Sequence, residues 1–472
     1  MRTQLETDYL VVGSGAVGMA FADLLITESD ADVVIVDRFA KPGGHWNVAY
    51  PFVRLHQPSQ FYGVSSVELS NGLIDEVGWN RGLSDLATGA EVSAYFDHVM
   101  RHHLLPSGRV RYFPLCEYTG EGSFFHKLTG QEFQVRSIKT VDCTYLNTSV
   151  PSTHTPNFEV ADGVRFMPLN DLTTLDRAPE RYAIVGGGKT GIDAVLWLLE
   201  QGTDPAKITW IKSRDGWLLN RKNTQPKAEF FEHSIGAQAS QFEAIAAAES
   251  VDDMFRRLEE FGYFLRLDPD VWPTMFHGAT ISELELEQLR RLDDIVRLGH
   301  VIRIDRDHVT LERGTLPSTP DTLYVDCSAT AITNLEIKPI FDGELITPQT
   351  VRSYQPVFSA AFIAHVELTR HNEEEKNRLC GVVPLPNSNL DYMRLTLAFM
   401  TNQYNWNQDP ELRSWLLHNR LDGFSKMVND VSKDDVDKRA ILKRLRDSAV
   451  PAAMRLTELI AEAEAELTTT PP

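Results

Sequence analysis

Short apolar runs that stop at glycine, each followed by a helix-like stretch, set the pattern of this chain and predict a mixed α/β architecture. One such run enters VVGSGAVG, Val11 to Gly18, and another enters IVGGGKTG, Ile184 to Gly191. Residues from about Asp8 to Asp37 read as strand, turn, helix and strand, half of a doubly wound sheet, and Arg181 to Arg214 repeat the unit. Between them, Glu91 to Leu105 read as a helix with Val92, Phe96, Val99 and His103 on its inner face. A Pro-Ser-Gly break and the strand Val110 to Phe113 follow. Alternation around Phe124 to Ile138 predicts an antiparallel meander, and Val141 to Leu146 a further apolar strand.

After Arg214 the chain becomes acidic and helical for about a hundred residues, which reads as an insertion. Ser250 and Asp253 open a helix carrying Met254, Phe255, Leu258 and Phe261, with Gly262 as its stop. Ser282 and Glu285 form a capping box ahead of Leu289, Leu292 and Val296, with Gly299 as the end of that helix. The run LYVDCSATA, Leu323 to Ala331, is expected to re-enter the first domain. Asp409 and Pro410 open a helix with Leu412, Trp415 and Leu416, and an Ala/Glu-rich helix precedes the TTTPP tail. This last region is expected either to cover the active site or to form a homodimer contact.

The two glycine turns share one physical logic. A strand that reverses tightly into a helix needs glycine for its backbone angles and for close approach to a pyrophosphate, which then meets the amides of the helix N-terminus. Gly13, Gly15 and Gly18 fall at the G-x-G-x-x-G spacing, with Ser14 and Val17 between them. The run Val33 to Val36 ends at Asp37, nineteen residues beyond Gly18, where an acid grips a ribose hydroxyl, and Arg38 follows it. Gly186, Gly188 and Gly191 repeat the spacing around Lys189 and Thr190, but the run Ile208 to Ile211 ends in Lys212, Ser213 and Arg214. Cationic groups at that point suit a ribose 2′-phosphate. Two different dinucleotides are therefore expected.

With 46 Lys plus Arg against 66 Asp plus Glu, the net charge of -20 argues against nucleic acid or an anionic membrane as principal partner. No apolar stretch is long enough to span a bilayer. Cys116, Cys143, Cys327 and Cys380 stand far apart with no metal-like spacing, and a reducing cytoplasm is the expected home. His98 and His102 are four apart on a helix. However, Val99 stands where a zinc-protease general base would be, and no third ligand is apparent, so no metal is expected.

The order of parts resembles the flavin-containing monooxygenase and Baeyer–Villiger monooxygenase group of two-dinucleotide-domain flavoproteins, over most of Asp8 to Asp215 and again at Leu323 to Ala331. Gly43, Gly44, His45 and Trp46 are similar to the group's Gly-Gly-x-Trp element. KSRDGWLLNR, Lys212 to Arg221, resembles its ribose-phosphate segment, and Asp326, Ala329 and Thr330 resemble its late Asp-x-x-x-Ala-Thr element. The group's Phe-x-Gly…His fingerprint is absent before the second turn, and the Ala-Thr-Gly signatures are degenerate, which marks a divergent branch. The resemblance implies two Rossmann-like domains. Residues 1–165 and 321–472 would hold FAD and carry the helical C-terminus, and residues 166–320 would form an inserted NADPH domain with its own helical insertion at about 225–299.

It implies further that NADPH reduces the flavin, whose C4a-hydroperoxide oxygenates a small organic substrate with dioxygen. Gln57, in RLHQPSQF, would contact the flavin or serve only as a loop hydrogen bond. Arg54 and His56 could equally satisfy the backbone of the same loop. Trp46, Tyr50 and Phe52 would wall the pocket or pack a loop on the core. Arg221 and Lys222 would reach the 2′-phosphate or face solvent, and Asn402, Tyr404, Asn405 and Trp406 would line a substrate pocket or pack. Disulfide reductases share the plan but need a thiol pair beside the flavin, and no cysteine precedes Cys116. A flavin reductase without oxygenation and a non-catalytic nucleotide-binding regulator are the other readings.

Overall fold

In the computed structural model, residues 2–146, 149–330 and 335–469 are described. Ala331, Pro471 and Pro472 lie outside them. The strand Thr3–Val12 occupies the middle of the first sheet, parallel to Val33–Val36 on one side and to Glu132–Asp142 on the other. The register places Val12 level with both Val36 and Asp142, so the first glycine turn leaves the carboxyl edge of the sheet. Helix Ala16–Glu28 is buried almost all round because the sheet lies on one side and helix Pro356–Thr369 on the other. Its apolar residues need no helical stripe for that reason.

The meander forms as a hairpin, Cys116–Gly120 with Ser123–His126, that pairs onto Glu132–Asp142. Val141 does not begin a separate strand. Pairing with Thr3–Val12 continues from Phe133 to Asp142, so one long strand replaces the two expected from the sequence.

The second sheet has five strands, all parallel, in the order Ile295–Val296, Ile208–Ile211, Arg181–Val185, Thr322–Asp326 and Arg165–Pro168. Thr322–Asp326, expected to rejoin the first domain, instead lies inside this sheet, every residue of it buried. An unbroken apolar strand suits an interior position with both faces covered. The chain regains the first sheet only with the hairpin of Phe341–Asp342 and Leu345–Ile346, the latter beside Thr140 and Val141.

The cap at Ser250 and the Ser282–Glu285 capping box both form. Each helix is shorter than its apolar pattern. Helix Val251–Glu260 buries Met254, Phe255 and Leu258, but Phe261 lies past the last turn and is 57% exposed. Helix Glu283–Leu289 stops early, and Ile295–Val296 becomes an edge strand, so Gly299 is not its cap. An open parallel edge offers β-branched residues backbone partners that a helix end does not. Asp409 caps helix Pro410–His418, which buries Leu412 and Leu416. The long helix Val436–Thr469 packs on Phe231–Ala246 and Asn389–Gln408, so insertion and C-terminus share one core around Trp217, Phe255 and Tyr392.

Candidate active site

At the first turn Gly13 takes a φ of +98°, open to glycine alone without strain, and its amide bonds Val36. A Cβ on Gly18 would fall 1.9 Å from the Gly13 carbonyl oxygen, so helix and strand close directly on one another. Gly15 begins helix Ala16–Glu28 with no side-chain cap, which leaves its first amides available to an anion. Gly44, at φ +57°, lies against it: a Cβ on Gly44 would stand 2.9 Å from Gly15 Cα. Asp37 is buried, with one oxygen accepting from the Ser14 amide and hydroxyl and the other from the Phe39 amide. A carboxylate has about four acceptor positions, so room remains for a further hydroxyl. Val17 packs on the first core, and Arg38 points outward over the Phe39 ring.

The second turn repeats this geometry. Gly186 takes φ +135°, and a Cβ on Gly191 would meet its carbonyl oxygen at 2.2 Å. Gly188 starts helix Lys189–Glu200, again uncapped by a side chain. Here a crevice of about 850 Å³ opens along the carboxyl ends of the second sheet. Gly186, Gly188, Lys189 and Thr190 line it from the turn, Ser213 and Arg214 from the end of Ile208–Ile211, and Thr330 from the segment after Thr322–Asp326. His56, His277 and Asn387 complete its far wall. Asn387 Oδ1 lies 2.9 Å from Arg214 Nη2 and 2.6 Å from His277 Nε2. Burial holds the His277 and His56 rings below their usual pKa, and for His56 the nearby Lys189 and Arg221 add to it. Both rings are therefore neutral donors or acceptors at neutral pH.

The loop after Gly44 joins the two units. Burial pulls His45 down to about 4, and its ring lies 5.2 Å from that of Trp46. Trp46 Nε1 donates to the Tyr62 hydroxyl at 2.7 Å, and its indole touches both the first and the second core. Tyr50 bonds Asp193, while Phe52 stacks on Trp197 at 4.6 Å, both partners lying on the second unit's helix.

No family model matches the chain. Uncharacterized protein Rv2000 of Mycobacterium tuberculosis is 47% identical over 462 residues, 98% of this chain and 86% of that one. An uncharacterized protein of Mycobacterium bovis matches over the same shares at the same identity. The chain belongs to the family of these mycobacterial proteins. Among solved structures, the polycyclic ketone monooxygenase of the fungus Thermothelomyces thermophila superposes with a TM-score of 0.53 at 11% identity, over 95% of this chain and 89% of that one. The flavin-containing monooxygenase of Stenotrophomonas maltophilia gives a TM-score of 0.46 at 14% identity, over 80% and 100%. This chain thus shares the fold of the polycyclic ketone monooxygenase.

Within that fold, several residues singled out in the sequence lie elsewhere than expected. Arg221 is 1% exposed and reaches no crevice. It bonds the carbonyls of His56 and Thr280 and the side chain of Asn80, and pairs with Glu285 at 2.9 Å. So many internal acceptors hold the guanidinium inside the protein. Lys212 is also buried, paired with Asp215 at 3.1 Å and set over the Trp210 ring, which leaves Ser213 and Arg214 as the members of that run facing the crevice. Gln57 does not line the crevice but a second cavity next to it. Asn402 bonds the carbonyls of Val351 and Gly381 and Trp406 sits in the core, so these two take the packing role, while Tyr404 faces outward. His277 and Asn387 went unnoticed in the sequence because 63 and 173 residues separate them from Arg214.

Proposed function

We propose that the chain is an NADPH-dependent FAD monooxygenase that oxygenates a small organic substrate at a heteroatom or carbonyl. The observation that carries this reading is the pairing of two uncapped glycine-turn helix N-termini, one per sheet, by a single loop. The first turn suits a flavin dinucleotide: Gly44 packs backbone to backbone on Gly15, and the helix that Gly15 begins has no side-chain cap, so its first amides are left for a pyrophosphate. In this reading the amides after Gly13 hold the FAD pyrophosphate and Asp37 its ribose, with Gly44, His45 and Trp46 alongside. Gly186, Gly188 and Thr190 hold the NADPH pyrophosphate, and Ser213 and Arg214 its 2′-phosphate.

Bound flavin supplies hydride acceptance and oxygen activation. The chain's own residues orient and enclose. The Tyr50–Asp193 bond and the Phe52–Trp197 stack fix the two units face to face. His56 and His277 are neutral and Lys189 is paired with Asp193, which leaves Arg214 to select the phosphorylated nucleotide. The sum of the reaction balances as NADPH, a proton, dioxygen and substrate giving NADP⁺, water and oxygenated product.

The deciding experiment is to purify the protein, record its visible spectrum, add NADPH without oxygen and then admit oxygen with candidate substrates. A yellow protein bleached by NADPH, with oxygen taken up into product, supports the proposal. Bleaching followed by stoichiometric peroxide release with every substrate would assign it as a reductase, and a colourless folded protein that takes up no flavin would remove the reading altogether.

A further inference from the structure

A second cavity, of about 170 Å³, lies beside the crevice between helix Phe231–Ala246, the segment 352–355 and helix Asn389–Gln408. Three consecutive residues on its wall each bury a polar atom that no described residue meets: Arg352 Nε, the Ser353 hydroxyl and the Tyr354 hydroxyl. Each such group costs stability when it lacks a partner. Tyr354 also sits at φ +61°, a conformation that a bulky residue adopts only when its surroundings enforce it. Of the carboxamides that line the same space, those of Gln57, Gln238 and Gln403 are bonded through their side chains to no other described residue. The charged side chains among the lining are Arg352 and Asp422, and they pair with each other at 2.7 Å.

The cavity backs onto the crevice. His56 lines the crevice while the next residue, Gln57, lines the cavity. On the opposite side the Tyr354 ring covers Gly278, where a Cβ would fall 2.7 Å from it, and Gly278 itself lines the crevice.

We propose that this cavity binds the organic substrate, an uncharged molecule about the size of one substituted ring that carries both donor and acceptor groups, as a carboxamide does. A cavity near 150 Å³ is enough for benzene. The wall's charges already cancel, so an ionised ligand would be buried without a counter-ion. A purely apolar ligand would leave the carboxamides of Gln57, Gln238 and Gln403 unmet. The name substrate rests on the monooxygenase reading, whereas the binding itself does not.

The test is calorimetric titration of the purified protein, in the absence of NADPH, with benzamide, benzoate, benzylamine and toluene. Benzamide is expected to bind at least tenfold tighter than the other three. Gln403→Leu should weaken benzamide roughly fivefold or more without lowering the melting temperature of the ligand-free protein, because its carboxamide has no internal bond to lose; Gln238→Leu should act in the same two ways. Benzoate or toluene binding as tightly as benzamide overturns the proposal, as does the absence of benzamide binding by folded protein. A Gln403→Leu variant that keeps full affinity overturns it too. A colourless protein that still binds benzamide would defeat the monooxygenase reading and leave the cavity's ligand class standing.

Discussion

The phenol of Tyr50 donates a 2.6 Å hydrogen bond to one oxygen of Asp193, and Lys189 Nζ reaches the other oxygen of the same carboxylate. A loop that begins on the first glycine turn is thereby fastened to the first two turns of the helix that follows the second. Burial and the neighbouring Asp193 charge hold the Tyr50 phenol well above its ordinary pKa, so it stays a donor throughout the physiological range. Tyr50→Phe keeps the ring contact with Phe52 and removes only the bond. The expected loss is about 1–2 kcal/mol of unfolding free energy in urea titration, with a larger fractional loss of NADPH oxidation as the two units loosen.

Arg214→Ala should weaken NADPH by about 1.5–3 kcal/mol, roughly 10- to 100-fold, and leave NADH nearly unchanged in equilibrium titrations. Equal losses for the two nucleotides would sink the assignment of Arg214.

Arg221→Ala tests the opposite expectation. Removing a fully buried guanidinium abandons Glu285 and several carbonyls, so about 3–5 kcal/mol of stability should go, seen as a lowered melting temperature. Whatever protein remains folded should show an unchanged preference for NADPH over NADH.

Gly44→Ala adds a methyl group at φ +57° and 2.9 Å from Gly15 Cα, where backbone rather than a flexible side chain must yield. The expected result is a folded protein that loses flavin on gel filtration, with a stability loss of about 1–2 kcal/mol. Retention of a full complement of flavin would show that the two glycines do not frame its site.

His103 lies 3.0 Å from the buried carboxylate of Asp23 and shares the Ser66 hydroxyl. The hydrogen bond to Asp23 holds its pKa above the usual value. Protonated His103 therefore stabilises the fold fully below about pH 6.5, and that contribution fades as the pH rises through the folded-state pKa. The urea midpoint of wild type minus that of His103→Gln should be greatest at the acid end and shrink toward alkaline pH. A difference that grows with pH would refute the pairing.

How much of this was legible beforehand differs from element to element. Local geometry was readable: the glycine spacing, Val33–Val36 ending at Asp37, the cap at Ser250 and the box at Ser282 each depend on residues within a few positions, and each forms. Partner choice was not. Thr322–Asp326 and Ile295–Val296 have apolar patterns that say strand or helix without saying beside what; the first was decided by a place between two strands of the second sheet and the other by that sheet's edge. The same holds for cations, since Arg214 and Arg221 differ little along the chain, yet one faces a crevice and the other is encircled by carbonyls.

The sequence by itself determined the two turn-and-helix units, because tight reversal and close helix–strand approach depend only on glycine at set intervals. The tertiary structure alone decided which charges face the crevice, which strand joins which sheet, and that Arg352, Ser353 and Tyr354 meet Gln57 across a cavity. Those outcomes depend on long-range packing and on the desolvation of polar groups, and neither is recorded in the neighbourhood of any single residue.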